Sequence, residues 1–374
     1  MMHMTFRWYG PNQDNITLDK IRQIPGMEGV ITALHELPAG EVWPLDKVLE
    51  RKAIVEKAGL KLSGIESINV HEDIKYGAPT RDKYIENYIK SLESVGKAGI
   101  HCVCYNFMPV FDWTRTDLAM PLADGSKAMA YDGKICEGLS CEQMFEYIAS
   151  NSNGFEMPGW ELNRKDEITA EIKKFSEMTA DDLRANFKYF LDAIMPTCEK
   201  YNIKMGVHPD DPSYDLFGLP RICKCEDDLV KIAQMNSSPY NGFSLCTGSL
   251  GSNPNNNIPK IIRNPLIGPR IHFAHVRNVK HTGDHKFHES AHLSSMGSLD
   301  LYEIVKALVE VGFNGIVRPD HGREIWGEIG RPGYGLYDRA LGAVYIQGLE
   351  EAIRKEKHMP YPDNINSVEQ PLIY

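Results

Sequence analysis
Short apolar runs recur along the whole chain, and the stretches between them place apolar residues three and four positions apart. Eight runs read as buried strands: residues 5–9, 29–34, 62–67, 101–107, 204–208, 242–246, 272–277 and 315–319. Most are continuous in apolar side chains with turn residues nearby, as in strands covered on both faces. Helices are expected between them. Residues 44–58 begin with a proline suited to a first turn and stop before Gly59, and residues 81–98 also stop before a glycine. Residues 181–201 open with acidic side chains, and residues 299–311 follow Ser298, read as the N-cap, and end at Gly312. Residues 336–355 supply a closing helix, and 17–22 and 257–264 two shorter ones. Eight strands alternating with helices predict a closed (β/α)8 barrel. The rival is an open doubly wound sheet, whose dinucleotide-binding version lacks its G-x-G-x-x-G turn here.

The interval 108–180 is too long for a simple connection. It follows the fourth strand, and a loop leaving the carboxyl end of a barrel strand opens on the catalytic face. The interval is therefore read as an inserted cap carrying a helix or two, with a peripheral subdomain or an oligomer contact as the alternative. The tail 358–374, rich in Pro and Asn, is expected to be coil. At 374 residues the chain fits one such domain, 1–374.

A formal net charge of -10 argues against a nucleic-acid backbone as partner but not against an anionic small molecule. No apolar run approaches the length of a membrane span, and residues 1–10 lack the apolar core of an export signal. The eight cysteines are therefore expected to be reduced thiols in a cytoplasm. Cys102 and Cys104, in an apolar run, read as core packing.

The last four strands each bring a metal-ligand type to the carboxyl end: His208, Cys246, His275 and Asp320. Alone, each is as easily structural. On successive strand ends of a closed barrel they converge on one mouth as a mixed nitrogen, sulfur and oxygen site. The donor types admit Zn, Fe, Co or Ni, and the carboxylate also suits Mn. Arg277 and Arg318 lie near the same ends and suit capture of a carboxylate. His321 follows Asp320, and Tyr334 sits in the glycine-rich run 330–335. Arg7, Trp8 and Tyr9 can line a polyol pocket, and His71 and Tyr105 are weaker candidates of the same kind. Four histidines between 281 and 292 read as a mobile, substrate-facing loop rather than a second metal site, because their spacing fits no familiar zinc pattern.

These residues carry a family resemblance. The motifs Phe6-Arg7-Trp8-Tyr9-Gly10, Ile21-Arg22-Gln23-Ile24-Pro25-Gly26, Gly40-Glu41-Val42-Trp43, Gly206-Val207-His208-Pro209-Asp210-Asp211-Pro212, His275-Val276-Arg277-Asn278 and Arg318-Pro319-Asp320-His321-Gly322 resemble mannonate dehydratase. The match runs from the first strand to the last helix. It implies a xylose-isomerase-like TIM barrel that converts D-mannonate to 2-dehydro-3-deoxy-D-gluconate and water in hexuronate breakdown, with Mn²⁺ or Fe²⁺ as cofactor. By the same resemblance His208, Cys246, His275 and Asp320 are the metal ligands, His321 and Tyr334 transfer protons, and Arg318 faces the substrate. A homodimer is expected, as for many barrels of this size. The alternatives are a metal-dependent sugar isomerase of the same barrel type, a zinc hydrolase or nuclease, and a non-catalytic sugar-acid binder.

Overall fold
The computed structural model describes residues 1–361 except 153, 156–159 and 161. Most of the expected tail, 362–374, lies outside the described residues, as do those six positions of the inserted interval.

Twelve strands are described. In chain order they are β1 (His3–Arg7), β2 (Gly29–Thr32), β3 (Lys61–Glu66), β4 (Cys102–Tyr105), β5 (Asp117–Pro121), β6 (Lys127–Asp132), β7 (Lys204–Val207), β8 (Asn241–Cys246), β9 (Ile271–Val276), β10 (Asn278–Gly283), β11 (Lys286–Ser290) and β12 (Ile316–Pro319). Eight of them close a parallel barrel in the order β1-β12-β9-β8-β7-β4-β3-β2. Closure is direct: β1 pairs with β2 through Phe6 and Val30 and with β12 through Met4 and Val317. Each of the eight expected apolar runs forms one barrel strand. Ile31, Cys102, Cys104 and Phe273 pack inside the barrel, so the two cysteines are filler, as expected.

The main core lies between the barrel and its helices. Helices Leu45–Lys57, Arg81–Lys97, Ala180–Tyr201 and Tyr337–Glu356 fall close to their expected bounds. The helix after β11 starts later than expected, at Leu301. Its N-cap is Asp300, whose carboxylate accepts from the Tyr302 and Glu303 N–H groups, while the Ser298 hydroxyl accepts from His281 instead. Helix Glu226–Met235, which the apolar spacing does not single out, fills the interval between β7 and β8.

Two expectations need correction. The interval after β4 carries more than helices: β5 and β6 form a hairpin before helices Gly133–Gly138, Cys141–Ser150 and Lys165–Phe175. The histidine-rich segment is no loop, because β10 and β11 pair antiparallel and β11 docks on β6. The resulting four-stranded sheet, β10-β11-β6-β5, stands outside the barrel. A second apolar cluster beneath it includes Phe111, Phe145, Trp160, Ile168, Phe175 and Phe287. Inserted chain and hairpin thus complete each other, which neither shows alone.

Helix Ala180–Tyr201 is anchored by Phe187, which is fully buried and stacks on Phe107 with ring centroids 4.5 Å apart. Phe187→Ala should cost about 3–5 kcal/mol of stability through the cavity it leaves. Urea unfolding followed by circular dichroism measures this, and a loss below about 1 kcal/mol would contradict the packing described.

Candidate active site
Strand register builds the floor of the site. Cys246 pairs with His275, and His275 pairs with Arg318, so three adjacent strands carry the three side chains in one layer. All three are essentially inaccessible to solvent. His208 follows the end of β7, and Asp320 and His321 follow β12. One side-chain atom each from His208, Cys246 and His275 lies within 4.8 Å of the others. Asp320 joins them through Oδ2, 3.3 Å from the Cys246 sulfur.

This donor set suits a metal ion. His208 Nδ1 lies 2.7 Å from the Pro209 carbonyl; donating there leaves Nε2 with its lone pair for a cation. Nε2 of His275 is buried without a hydrogen-bond partner. The Cys246 sulfur accepts from the backbone N–H and hydroxyl of Ser249 and from Nε of Arg277, and each of these donors suits a ligating thiolate. Burial disfavours charge on the His208 ring, but the Cys246 sulfur and then the Asp211 and Asp320 carboxylates outweigh it and raise the imidazole to about 9, so its surroundings favour a positive charge that a bound cation would supply in place of the ring proton. Burial and then the Arg318 guanidinium push His275 well below the usual histidine range, so its ring is a neutral ligand type.

Glu66, Cys104 and His275 form a second group with ligand-type atoms close together. It shares His275 with the first. Its carboxylate is also engaged, with Arg318 Nη2 2.9 Å and Arg7 Nη1 4.0 Å away. A cation there would face two guanidinium groups, so the first group is the better site.

Above the floor is a cavity of about 770 Å³ lined by Arg7, Tyr9, His208, Arg318, Asp320, His321 and Tyr334, all expected from the sequence. His321 Nε2 stands 3.0 Å from the Tyr334 hydroxyl. Burial, and next the Tyr9 phenol, hold Tyr334 well above the usual phenol range, so it keeps its proton. Gly333, at φ +77°, is needed beside it. A Cβ there would meet the Met129 methyl at 2.4 Å and the His321 ring at 3.2 Å.

Four expected pocket residues are elsewhere. Side chains alternate along a strand, so with Arg7 and Cys104 facing the barrel interior, Trp8 and Tyr105 point outward into the main core. His71 caps helix Glu72–Tyr76 and stacks on Tyr84 at 3.6 Å. Arg277 lies behind the His208, Cys246 and His275 group, with Nε 3.5 Å from the Cys246 sulfur, and does not line the cavity. Its guanidinium binds Asp211 at 2.7 Å, Asp320 at 2.9 Å and Glu289, which leaves it no free face for a substrate carboxylate. Gly248 makes room for it, since a Cβ there would come within 2.4 Å of Nε. The four histidines of the hairpin region also disperse. His281 and His292 meet the carbonyls of Gly251 and Val276, His285 lies against Tyr214, and His288 meets its neighbour's carbonyl.

The sequence reading missed Glu66, Arg115 and Glu289. Glu66 ends β3, and the strand-end logic applied to the last four strands would have found it. Arg115 comes from the inserted interval and is fully buried, 2.9 Å from Asp211 and 2.7 Å from Glu289. No local signal marks that contact. Trp113 and Phe155 of the same interval line the cavity, and the Trp113 ring meets His321 edge-on at 5.7 Å.

The family model for D-mannonate dehydratase (UxuA) matches residues 2–360. The mannonate dehydratase of Brachyspira hyodysenteriae is 56% identical over 354 residues, 95% of this chain and 99% of that one. That of Thermotoga neapolitana is 52% identical over 356 residues, again 95% of this chain and 99% of the other. The crystal structure of mannonate dehydratase from Streptococcus suis serotype2 superposes with a TM-score of 0.85 at 44% identity, covering 98% of this chain and 97% of that one.

Acid should weaken this centre in a defined window. Burial pushes the Glu66 and Glu289 carboxyls up, but guanidinium groups push them further down, Arg318 for Glu66 and Arg277 with Arg115 for Glu289, to about 2 from an ordinary 4.5. A depressed carboxyl stabilises the fold above its unfolded value and stops doing so as pH falls through its folded value. The urea midpoint should therefore begin to fall below about pH 6.5, where buried neutral histidines such as His275 gain a proton only on unfolding, and fall further between about 4.5 and 2 as the carboxylate ion pairs are lost. Equal midpoints at pH 3 and pH 7 would contradict the ion pairing.

Proposed function
The chain belongs to the mannonate dehydratase family, and on that footing we propose that His208, Cys246, His275 and Asp320 hold a divalent cation while His321 and Tyr334 carry the protons. The reaction is that of a metal-dependent hydro-lyase: D-mannonate loses water to give 2-dehydro-3-deoxy-D-gluconate, in hexuronate catabolism. The observation that carries the residue assignment is convergence. The donors, the His321–Tyr334 pair and the cations Arg7, Arg318 and Arg331 all meet at one cavity floor and mouth.

The bond to be broken at C2 is to a weakly acidic hydrogen beside a carboxylate, so its removal concentrates negative charge. A divalent cation at these donors supplies positive charge where that negative charge develops. Arg318, held by Asp320 and Glu66, adds a fixed guanidinium on the same side. His321 Nε2 takes the C2 proton, and the Tyr334 hydroxyl protonates the C3 oxygen, which leaves as water. The C2–C3 enol that remains takes a proton at C3 and loses its hydroxyl proton to give the keto acid. His321 has then gained one proton and Tyr334 lost one. The 3.0 Å hydrogen bond between them lets the proton pass back directly.

Mn²⁺ or Fe²⁺ is the proposed ion, consistent with a carboxylate and two imidazoles beside one thiolate. The interval 108–180 is read as a cap within a single 1–374 domain, because Asp112, Trp113, Leu118 and Phe155 line the cavity. A homodimer is supported by exposed apolar side chains: Trp326, at 74% accessibility, lies against Tyr337, and Leu341 and Val344 follow on the same helix Tyr337–Glu356. None of the helices is long and apolar enough to cross a membrane among the described residues, and seven cysteines are free, six of them buried. Both fit a cytoplasmic setting.

Chelated protein given Mn²⁺, Fe²⁺ or Zn²⁺ and a panel of hexonates should form 2-keto-3-deoxy acid fastest from D-mannonate. His208→Ala should lose bound metal, measured by plasma mass spectrometry, together with turnover. Activity that survives chelation in that variant would remove the metal role. Tyr334→Phe should keep its metal and lower kcat about a hundredfold or more, and unchanged kinetics would take Tyr334 out of the chemistry.

A further inference from the structure
We propose that Glu289 is a positioning residue for the dehydration: it accepts the Nδ1 hydrogen of His321 and so keeps Nε2 free to take the C2 proton. The inference rests on the reading of His321 as the base.

Glu289 is on β11, opposite Val279, and its side chain is fully buried. Oε1 lies 3.2 Å from His321 Nδ1, and on the far side of the ring Nε2 lies 3.0 Å from the Tyr334 hydroxyl. Carboxylate, imidazole and phenol therefore form one line toward the cavity. A neutral imidazole carries one hydrogen, and the partner of one nitrogen decides which nitrogen has it. Nδ1 has a competing neighbour, Nη1 of Arg277, at 3.1 Å. Arginine can only donate. Were Arg277 to donate to Nδ1, the hydrogen would sit on Nε2 and the ring could take no proton there.

The geometry favours Glu289. The same Arg277 nitrogen is in direct contact with Oε1, and an ionised carboxylate is a stronger acceptor than a neutral ring nitrogen. Arg115 anchors the carboxylate at 2.7 Å and is itself tied to Asp211, which also binds Arg277. The acceptor is thus fixed in place by Arg115 of the inserted interval and by Arg277 between β9 and β10. The guanidinium groups also outweigh burial and hold Glu289 at about 2, so it is ionised at neutral pH.

Glu289→Gln keeps the size and removes the charge. The expected result is a kcat about a hundredfold lower with KM within about twofold and metal content unchanged. On His321→Gln, a protein already lacking the imidazole, the same change should lower activity no further. Labelled histidine NMR of the Zn²⁺-loaded protein, with His321 identified by its loss in His321→Gln, should show Nδ1–H in the parent and a shift toward Nε2–H in Glu289→Gln. If Glu289→Gln does not fold, Glu289→Asp is measured instead. Its charge at shorter reach should give a lowered kcat with the Nδ1–H form still favoured. An unchanged tautomer in Glu289→Gln, an Nε2–H form in the parent or in Glu289→Asp, or losses that multiply in the double variant would overturn the inference. A fully active His321→Gln would instead overturn the reading it rests on.

Discussion

The guanidinium of Arg277 is the constraint around which the site is arranged. It has no access to water, and it touches the carboxylates of Asp211, Glu289 and Asp320 and the sulfur of Cys246. A buried ion of this kind costs several kcal/mol to desolvate and is tolerated only when its partners are placed in advance. The carboxylates come from the turn after β7, the β10–β11 hairpin and the end of β12, and the sulfur from the end of β8. The barrel cannot close around Arg277 without drawing these segments together. In doing so it sets His208, Cys246, His275 and Asp320 close to His321 and Tyr334.

The charges around it balance. Arg7, Arg115, Arg277 and Arg318 face Glu66, Asp211, Glu289 and Asp320, four guanidinium groups against four carboxylates. On the proposed reading, a divalent cation held partly by a thiolate would leave this set with one net positive charge, which an aldonate carboxylate would neutralise. Selection for an anionic substrate would then arise from the interior, although the chain as a whole carries -10. Net charge describes solubility and long-range encounter, whereas recognition is decided by the few charges that water does not screen.

The inserted interval does more than cover the mouth. Arg115 reaches from it into the ion network, and Trp113 lies against His321. Loss of Arg115 would leave Asp211 and Glu289 short of a counterion in a dry interior. The inserted interval and His321 are therefore linked through Glu289, which touches both, and the hairpin that carries Glu289 is in turn held by pairing with β6 of the inserted chain.

The sequence by its own spacing determined the eight barrel strands, most of the surrounding helices and the donors at the ends of the last four strands. The reason is local: burial on both faces demands continuous apolar runs, and strand carboxyl ends open on one face of any such barrel. It also carried Arg7 and Tyr9 at the end of β1, His321 just after β12 and Tyr334 in the glycine-rich run 330–335. It could not say that Trp8 and Tyr105 face outward, because a run apolar on both sides has no alternation to read. Nor could it place Arg277 behind the donors rather than before the substrate, pair β11 with β6, or bring Arg115 and Glu289 to His321. Those arrangements depend on contacts between segments as far apart as 115 and 289. They exist only once the chain has closed and excluded the water that would otherwise solvate each charge.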